Sequence, residues 1–471
     1  MRIKSIFFTL FIVIYLPLIL LTAIPFVIKT LFTLNFLVIL TITYFYLFRD
    51  KRFAPILSAF IVFNFLFFLI APMLQVHNVY VTGDYKLPTK LIYRDYLIIK
   101  TNILVLIFNV VFFIFYRYFN AIKFKAKEYK KNKNLAFHII VFFVISLIIF
   151  LLNFKHIQNE YLTSNYFDLE GTSKSSLLIK EKIILMFPFM AFIIALHYTI
   201  KNRKSKNFYF ILGITILLVV LVLVIKNPLT EKRNALGPIY ITMIFLIIPR
   251  LLNTNFKLLV FLFFSMIIVF PTISLITHSG YSLEKLLKNP NLFLKQAQNH
   301  GIVNTFTTLN YDAFVNFSAT IEHVEDSSLS YGNQLSGALF FFIPRKIWDS
   351  KPISSGEYIG EYLKENYGNK YSFTNLSNPY VSEGYLNFGI LGIILFAILL
   401  AFFMSRMTNW INGNDPFKKA ASFYAAIHLI FLLRGDFTNG YAFLFATFLV
   451  VLLIPKMYFL FFKKIKYVPS K

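Results

Sequence analysis

Four charged residues stand where an apolar run begins or ends. Arg233 lies in Glu231-Lys232-Arg233-Asn234, Arg345 follows Pro344, Arg434 lies in Leu433-Arg434-Gly435-Asp436, and Glu383 opens an apolar run after Ser382. Arginine at such a boundary is costly unless it has a partner or water, and its planar fork suits phosphate and carboxylate. Three arginines from distant turns, brought to one surface, would seat an anionic lipid headgroup. Diphosphate is the natural candidate, because it sits at the membrane interface and is a leaving group. Cations that stabilise charge as it develops on a departing diphosphate speed the reaction beyond simply binding it. Plainer readings stand beside this one. Arg233 is then a solvated turn residue, Arg434 pairs with Asp436, and Arg345 anchors to headgroups together with Lys346. Glu383 is either a general base or an acid favoured by the dipole in a helix first turn.

The elements that must position these residues are membrane helices. Of the 471 residues 58% are hydrophobic, including 59 Phe, which is more apolar surface than a soluble fold can hide. The apolar runs read as an all-α polytopic membrane protein of about twelve spans. They fall near 6–27, 31–48, 53–75, 99–118, 135–154, 183–200, 208–225, 236–249, 258–276, 384–405, 420–433 and 441–461. The first has no small-residue cleavage pattern and reads as an uncleaved span. The net charge of +26 would raise nucleic acid as a partner of a soluble protein, but here the basic clusters fall between alternate spans, as the positive-inside rule requires. Both termini are then cytoplasmic. The inner loops hold only Asp50, Glu128 and Asp415 among the acids. No nucleic-acid partner is expected. The absence of Cys excludes thiolate metal sites and cysteine nucleophiles, and no pair of the histidines has metal-ligand spacing.

The outer face receives one large segment, and the chain divides accordingly: membrane helices over 1–276, a large extracytoplasmic loop with short helices over 277–382, and membrane helices over 383–471. A loop of that length is usually functional. Tyr281–Asn299 has leucines at helical spacing, broken by Pro290. Tyr311–Val324 reads as a further helix, and the apolar stretch Asn333–Ile343 is stopped by Pro344. Ser354-Ser355-Gly356-Glu357 reads as a capping box that opens a helix to about Asn366. Its apolar face is Tyr358, Ile359, Tyr362 and Leu363, and its acidic stripe is Glu357, Glu361 and Glu365.

The run Phe342-Ile343-Pro344-Arg345-Lys346-Ile347-Trp348, then Lys351-Pro352, then Glu383-Gly384-Tyr385-Leu386-Asn387-Phe388-Gly389 and Gly392 resembles the oligosaccharide repeat-unit polymerases, the Wzy-type polymerases of O-antigen and capsule synthesis. The polytopic plan with a large outer loop before the last spans is similar too. The resemblance implies a metal- and cofactor-independent glycosyltransferase of the bacterial plasma membrane, acting on polyprenyl-diphosphate-linked oligosaccharides at the outer face. A chain-length regulator and a flippase are the partners it implies. On this likeness Arg345, Glu383 and Arg233 take catalytic places, and Arg434, Lys346, Lys351, Trp348 and Tyr385 bind substrate. A lipid-linked oligosaccharide flippase is the main alternative, but it would need charge deep inside the spans, which are nearly free of it. A glycan ligase is the closest enzyme alternative, and His278, His300 and His323 stand in no motif that marks one. A membrane scaffold without activity would tolerate loss of Arg345 and Arg233.

Overall fold

The computed structural model describes residues 2–83, 94–122, 134–162, 179–227, 233–269, 306–368 and 376–465. These form helices and turns, with no strand among the described residues. The expected helices of Tyr281–Asn299 lie outside the described residues. In chain order the helices are α1 (Arg2–Leu21), α2 (Phe26–Tyr44), α3 (Pro55–Thr82), α4 (Asp95–Ala121), α5 (Leu135–Leu152), α6 (Phe154–Leu162), α7 (Phe187–Lys201) and α8 (Phe208–Ile225). There follow α9 (Arg233–Ile247), α10 (Asn255–Phe264), α11 (Ala313–Asp326), α12 (Asn333–Leu339), α13 (Ser355–Tyr367), α14 (Tyr380–Ile411), α15 (Pro416–Arg434) and α16 (Phe437–Phe448).

Among the described residues, nine helices are long and apolar enough to cross a membrane: α1 to α5, α7 with its lead-in from Ile179, α8, α14, and α16 with its continuation to Phe462. The protein is therefore a multi-pass membrane protein. The other expected spans correspond to α9 and α10, which are shorter, and to α15, whose 19 residues are diluted by Lys418, Lys419 and His428. The apolar window of α3 is 100% buried, whereas those of α1 and α5 are 17% and 22% buried. The first is thus a central post, and the other two present most of their surface to lipid. Aromatic stacking joins the posts. Phe60 on α3 lies 3.9 Å from Phe112 on α4, and Phe245 on α9 lies 3.9 Å from Phe423 on α15. Such pairs add about 0.5–1.5 kcal/mol beyond the area they bury. At one end of the bundle Asn255 accepts from Ala54 N at 2.9 Å and donates to Arg52 O at 3.0 Å, while Asn412 donates to Phe53 O at 2.7 Å. The turn between α2 and α3 is thereby pinned.

The other end holds the short helices. The Ser354 half of the expected capping box forms: Ser354 Oγ accepts from Glu357 N at 3.4 Å and opens α13, whose Ile359 and Leu363 are buried. The sequence places a continuous span over 384–405, and here the structure differs. Phe388 (φ −139°, ψ 15°) and Gly389 (φ 62°, ψ −142°) leave helical geometry inside α14. Gly384 and Gly392 would be about 12 Å apart in a straight helix. Instead, a Cβ on Gly392 would lie 1.8 Å from Gly384 O, and Tyr380 Oη donates to Phe396 O at 3.3 Å. Residues 380–387 thus fold back along the start of 390–411, and Glu383 sits on the returning arm. The tip is held from outside, where Ser330 N donates to Leu386 O at 2.9 Å and Leu335 N donates to Asn387 Oδ1 at 3.3 Å. Hydropathy cannot register this reversal because it carries no direction, and the two arms are adjacent in sequence.

Replacing Gly392 with Ala drives a methyl into the Gly384 carbonyl, and overpacking of that kind costs about 1–3 kcal/mol or more. Gly392→Ala is expected to lower the thermal midpoint of the detergent-purified protein by several degrees. Gly213→Ala on α8, where a Cβ meets nothing within 4 Å, is expected to leave it unchanged or raised. Fluorescence-detected size-exclusion after heating measures both.

Candidate functional site

The site is built where the N-terminus of α11, the strand-like approach to α14, the start of α13 and the turn between α15 and α16 meet. Its content is polar and buried: Asp312 at 2%, Asn316 at 0%, Asn378 at 0%, Glu383 at 1%, Ser355 at 2% and Asp436 at 5% relative exposure. Such groups are tolerated only when hydrogen-bonded or paired, so each donor has to be accounted for.

Asp312 is the best satisfied. Its Oδ1 accepts from Ser377 Oγ at 2.6 Å and from Arg434 Nη2 at 3.3 Å, and its Oδ2 accepts from Asn316 Nδ2 at 3.0 Å. Burial pushes its carboxyl above the usual range, while Arg434, Ser377 and Asn316 draw it back. Arg434 Nη2 also donates to Leu309 O. The sequence offered Asp436 as the partner of Arg434, and the structure corrects this. Asp436 is the N-cap of α16, accepting from Asn439 N at 3.3 Å, and Ser355 Oγ donates to its Oδ1 at 3.3 Å. A residue two positions along the chain cannot both cap the following helix and turn back to the guanidinium.

Glu383 is held by neutral groups alone. Asn387 Nδ2 lies 3.4 Å from its Oε1 and Asn378 Nδ2 lies 3.5 Å from its Oε2, both long for a hydrogen bond, and the Ser355 hydroxyl is a third partner. No cation pairs with it among the described residues. Ser382 Oγ, beside it, lies 2.6 Å from Asn378 Oδ1 and 2.7 Å from Thr320 Oγ1. One polar network therefore runs from Arg434 through Asp312, Asn316, Thr320 and Asn378 to Glu383.

The remaining sequence candidates lie apart from this network. Arg345 is exposed and donates to the carbonyls of Lys351 and Pro352. Lys351 Nζ returns the favour, donating to Phe341 O at 2.8 Å and Ile343 O at 2.9 Å. The two side chains close the 341–352 loop on itself, and burial together with Arg345 lowers the Lys351 ammonium from its usual range. Lys346 is exposed, and Trp348 Nε1 donates to Ser350 Oγ at 3.2 Å. Tyr385 shares the returning arm with Glu383 but packs against Phe317, with the Lys100 ammonium 5.8 Å from its ring centre. Arg233 opens α9, and its side chain lies outside the described residues.

Residues 361–466 match the model of the O-antigen polysaccharide polymerase Wzy. The match supports the Wzy-type family for this chain. No curated protein and no solved structure matches it. The Wzy-type segment contains Glu383, Arg434, Asp436 and the hairpin of α14, whereas Arg233, Asp312 and Arg345 precede it.

Sequence reasoning missed Asp312, Asn316, Ser377, Asn378 and Ser355 as partners. One signal was legible, since Asn387-Phe388-Gly389 with Gly384 and Gly392 is a glycine pattern that a straight span has no need of. Asn387 both seats the tip of α12 and faces Glu383, so truncating it orphans Leu335 N and strips Glu383 of a donor. Asn387→Ala is expected to destabilise by about 1–3 kcal/mol, read as an earlier thermal midpoint, with Asn366→Ala on the exposed end of α13 as the near-neutral comparison.

Proposed function

We propose that this protein is a membrane glycosyltransferase that joins polyprenyl-diphosphate-linked oligosaccharide repeats into a surface polysaccharide at the outer face of the plasma membrane. The observation that carries the reading is the Wzy family match, which spans Glu383 and Arg434, the two sequence candidates joined by the buried network. In this reading the chain crosses the membrane about twelve times, with α9, α10 and α15 as the shorter spans and both termini in the cytoplasm. Residues 1–276 and 383–471 form the membrane parts and 277–382 the outer segment. A flippase supplies the repeats and a chain-length regulator limits the product.

The reaction transfers a glycan from its carrier to a hydroxyl of the next repeat. The hydroxyl oxygen bonds to the anomeric carbon, the bond from that carbon to the diphosphate oxygen breaks, and its electron pair leaves with the diphosphate. The hydroxyl proton has to go to a base. Arg434 meets the diphosphate with the donors that Asp312 and Leu309 leave unused, and a fixed cation favours the charge that grows there. Glu383 takes the proton. Its coordination by neutral groups alone suits that role, because a carboxylate paired with a cation has less reason to accept one. In the present state Ser355, Asn378 and Asn387 cover it, so acceptor binding has to part that cover. Arg345, with Arg233, Lys346, Lys351, Trp348 and Tyr385, belongs to the walls that receive the headgroup and sugars. Holding the hydroxyl in line with the anomeric carbon supplies the rest of the rate.

A deletion strain is expected to strand single lipid-linked repeats on the outer face, with no polymer ladder. Single repeats trapped on the cytoplasmic face would identify a flippase, and full-length polymer left on the carrier would identify a ligase. Complementation with Arg434→Ala or Arg345→Ala is expected to leave the ladder absent while the protein still inserts. Wild-type ladders from both verified variants would remove the assigned site. Glu383→Gln is expected to cut polymer by about 10²-fold or more, the usual scale for a lost general base.

A further inference from the structure

We infer that Asp312 is a positioning residue that aims Arg434 at the diphosphate of the lipid-linked substrate. The inference rests on the polymerase reading above and adds to it a residue that lies outside the Wzy-matched segment.

An arginine at the end of a helix has a long, mobile side chain, and a mobile fork is a poor template for a leaving group. Arg434 is different. Its Nη2 is held by Asp312 Oδ1 at 3.3 Å and by Leu309 O. Among the described residues its Nε has no hydrogen-bond partner and Nη1 donates to nothing, and 28% of the side chain is exposed. One nitrogen is thus fixed and the other two keep their donors. Nη1, which carries two N–H groups, is the end of the guanidinium left to meet oxygens of a phosphoryl group.

Asp312 can hold that geometry because it is itself held. It is 2% exposed, and its other contacts come from neutral donors on two separate segments, Asn316 within α11 and Ser377 before α14. The neutral donors fix the carboxylate without cancelling its charge, so its charge remains directed at Arg434. A clasp serving stability alone would use up the remaining donors of the guanidinium. Here Nη1 and Nε have no partner among the described residues, and an unmet donor of a charged group is costly unless a ligand completes it.

The test is a double-mutant cycle on the full-length protein in nanodiscs, with the strain's own purified lipid-linked repeat as substrate and inorganic pyrophosphate as a diphosphate probe. Asp312→Asn keeps the side chain's shape and removes its charge. It is expected to lower kcat at least tenfold and to raise the pyrophosphate concentration needed for inhibition at least tenfold. In an Arg434→Lys background, Asp312→Asn is expected to add less than twofold, because the fork it aims is already gone. Ser377→Ala, which removes one support of Asp312, is expected to shift pyrophosphate inhibition in the same direction by a smaller factor, and it serves where Asp312→Asn does not fold. Unchanged pyrophosphate inhibition in Asp312→Asn, or in Ser377→Ala where only that variant folds, would overturn the inference. So would losses that simply multiply in the double variant, the mark of a stability clasp. A wild-type protein that neither polymerises the repeat nor responds to pyrophosphate would overturn the polymerase reading itself, a failure visible before any variant is compared.

Discussion

Carboxylates buried at one end of an apolar bundle set the terms for everything around them. Asp312, Glu322, Glu383 and Asp436 are each at most 5% exposed. An ion taken out of water is tolerated only with partners of good geometry, and each of these finds a different solution. Asp312 takes a cation and two neutral donors. Glu322 takes both of its bonds from the Tyr367 hydroxyl at 2.8 Å, with Arg94 3.8 Å away. Asp436 takes a helix N-terminus and Ser355. Those partners lie on α11, α13, α15 and α16 and in the chain just before α4 and α14, and the need to satisfy the carboxylates helps draw the short helices onto the ends of the long ones. Glu383 takes only neutral partners, two long contacts to amides and the Ser355 hydroxyl.

The backbone makes this arrangement possible through one device. Glycines at 384 and 392 let the two arms of α14 touch through their main chains, and the left-handed φ of Gly389 turns the chain between them. The returning arm carries Glu383 and Asn387 into the protein rather than out to lipid. Gly356 plays the matching part at α13, where a Cβ would lie 2.1 Å from Leu376 O, so the helix can seat Ser355 beside Asp436. Close backbone approach is thus used twice to bring polar groups into a place where side-chain bulk would have kept them apart.

How much of this was legible follows from the range of each signal. The long helices could be read because hydropathy is local, and the α13 cap because Ser354 and Glu357 are three residues apart. The α15 helix was placed correctly, although its lysines weaken it as a span. The Arg434–Asp312 pair joins residues 122 positions apart, and no periodicity connects them. Asp436 looked like the partner because sequence proximity was the only measure to hand. The α14 reversal stayed hidden for the opposite reason: two arms adjacent in sequence read as one run. Glu383 was correctly placed in a helix first turn, but which helix that was, and that it returns inward, depended on contacts that only the fold supplies.

The two described arginines from the sequence end up in contrasting states, and the contrast bears on what each can do. Arg345 spends donors on the main-chain carbonyls of Lys351 and Pro352, so its guanidinium is tied to a loop that Lys351 closes from the other side. Such a residue shapes a surface, and its loss would open the loop as well as remove a charge. Arg434 is tied at one nitrogen to a carboxylate that two neutral donors hold, and its remaining donors have no partner among the described residues. Electrostatic stabilisation of a leaving group is effective when the dipoles are already in place before charge develops. In the proposed reaction that criterion would favour Arg434 as the diphosphate's partner and leave Arg345 to the wall around it.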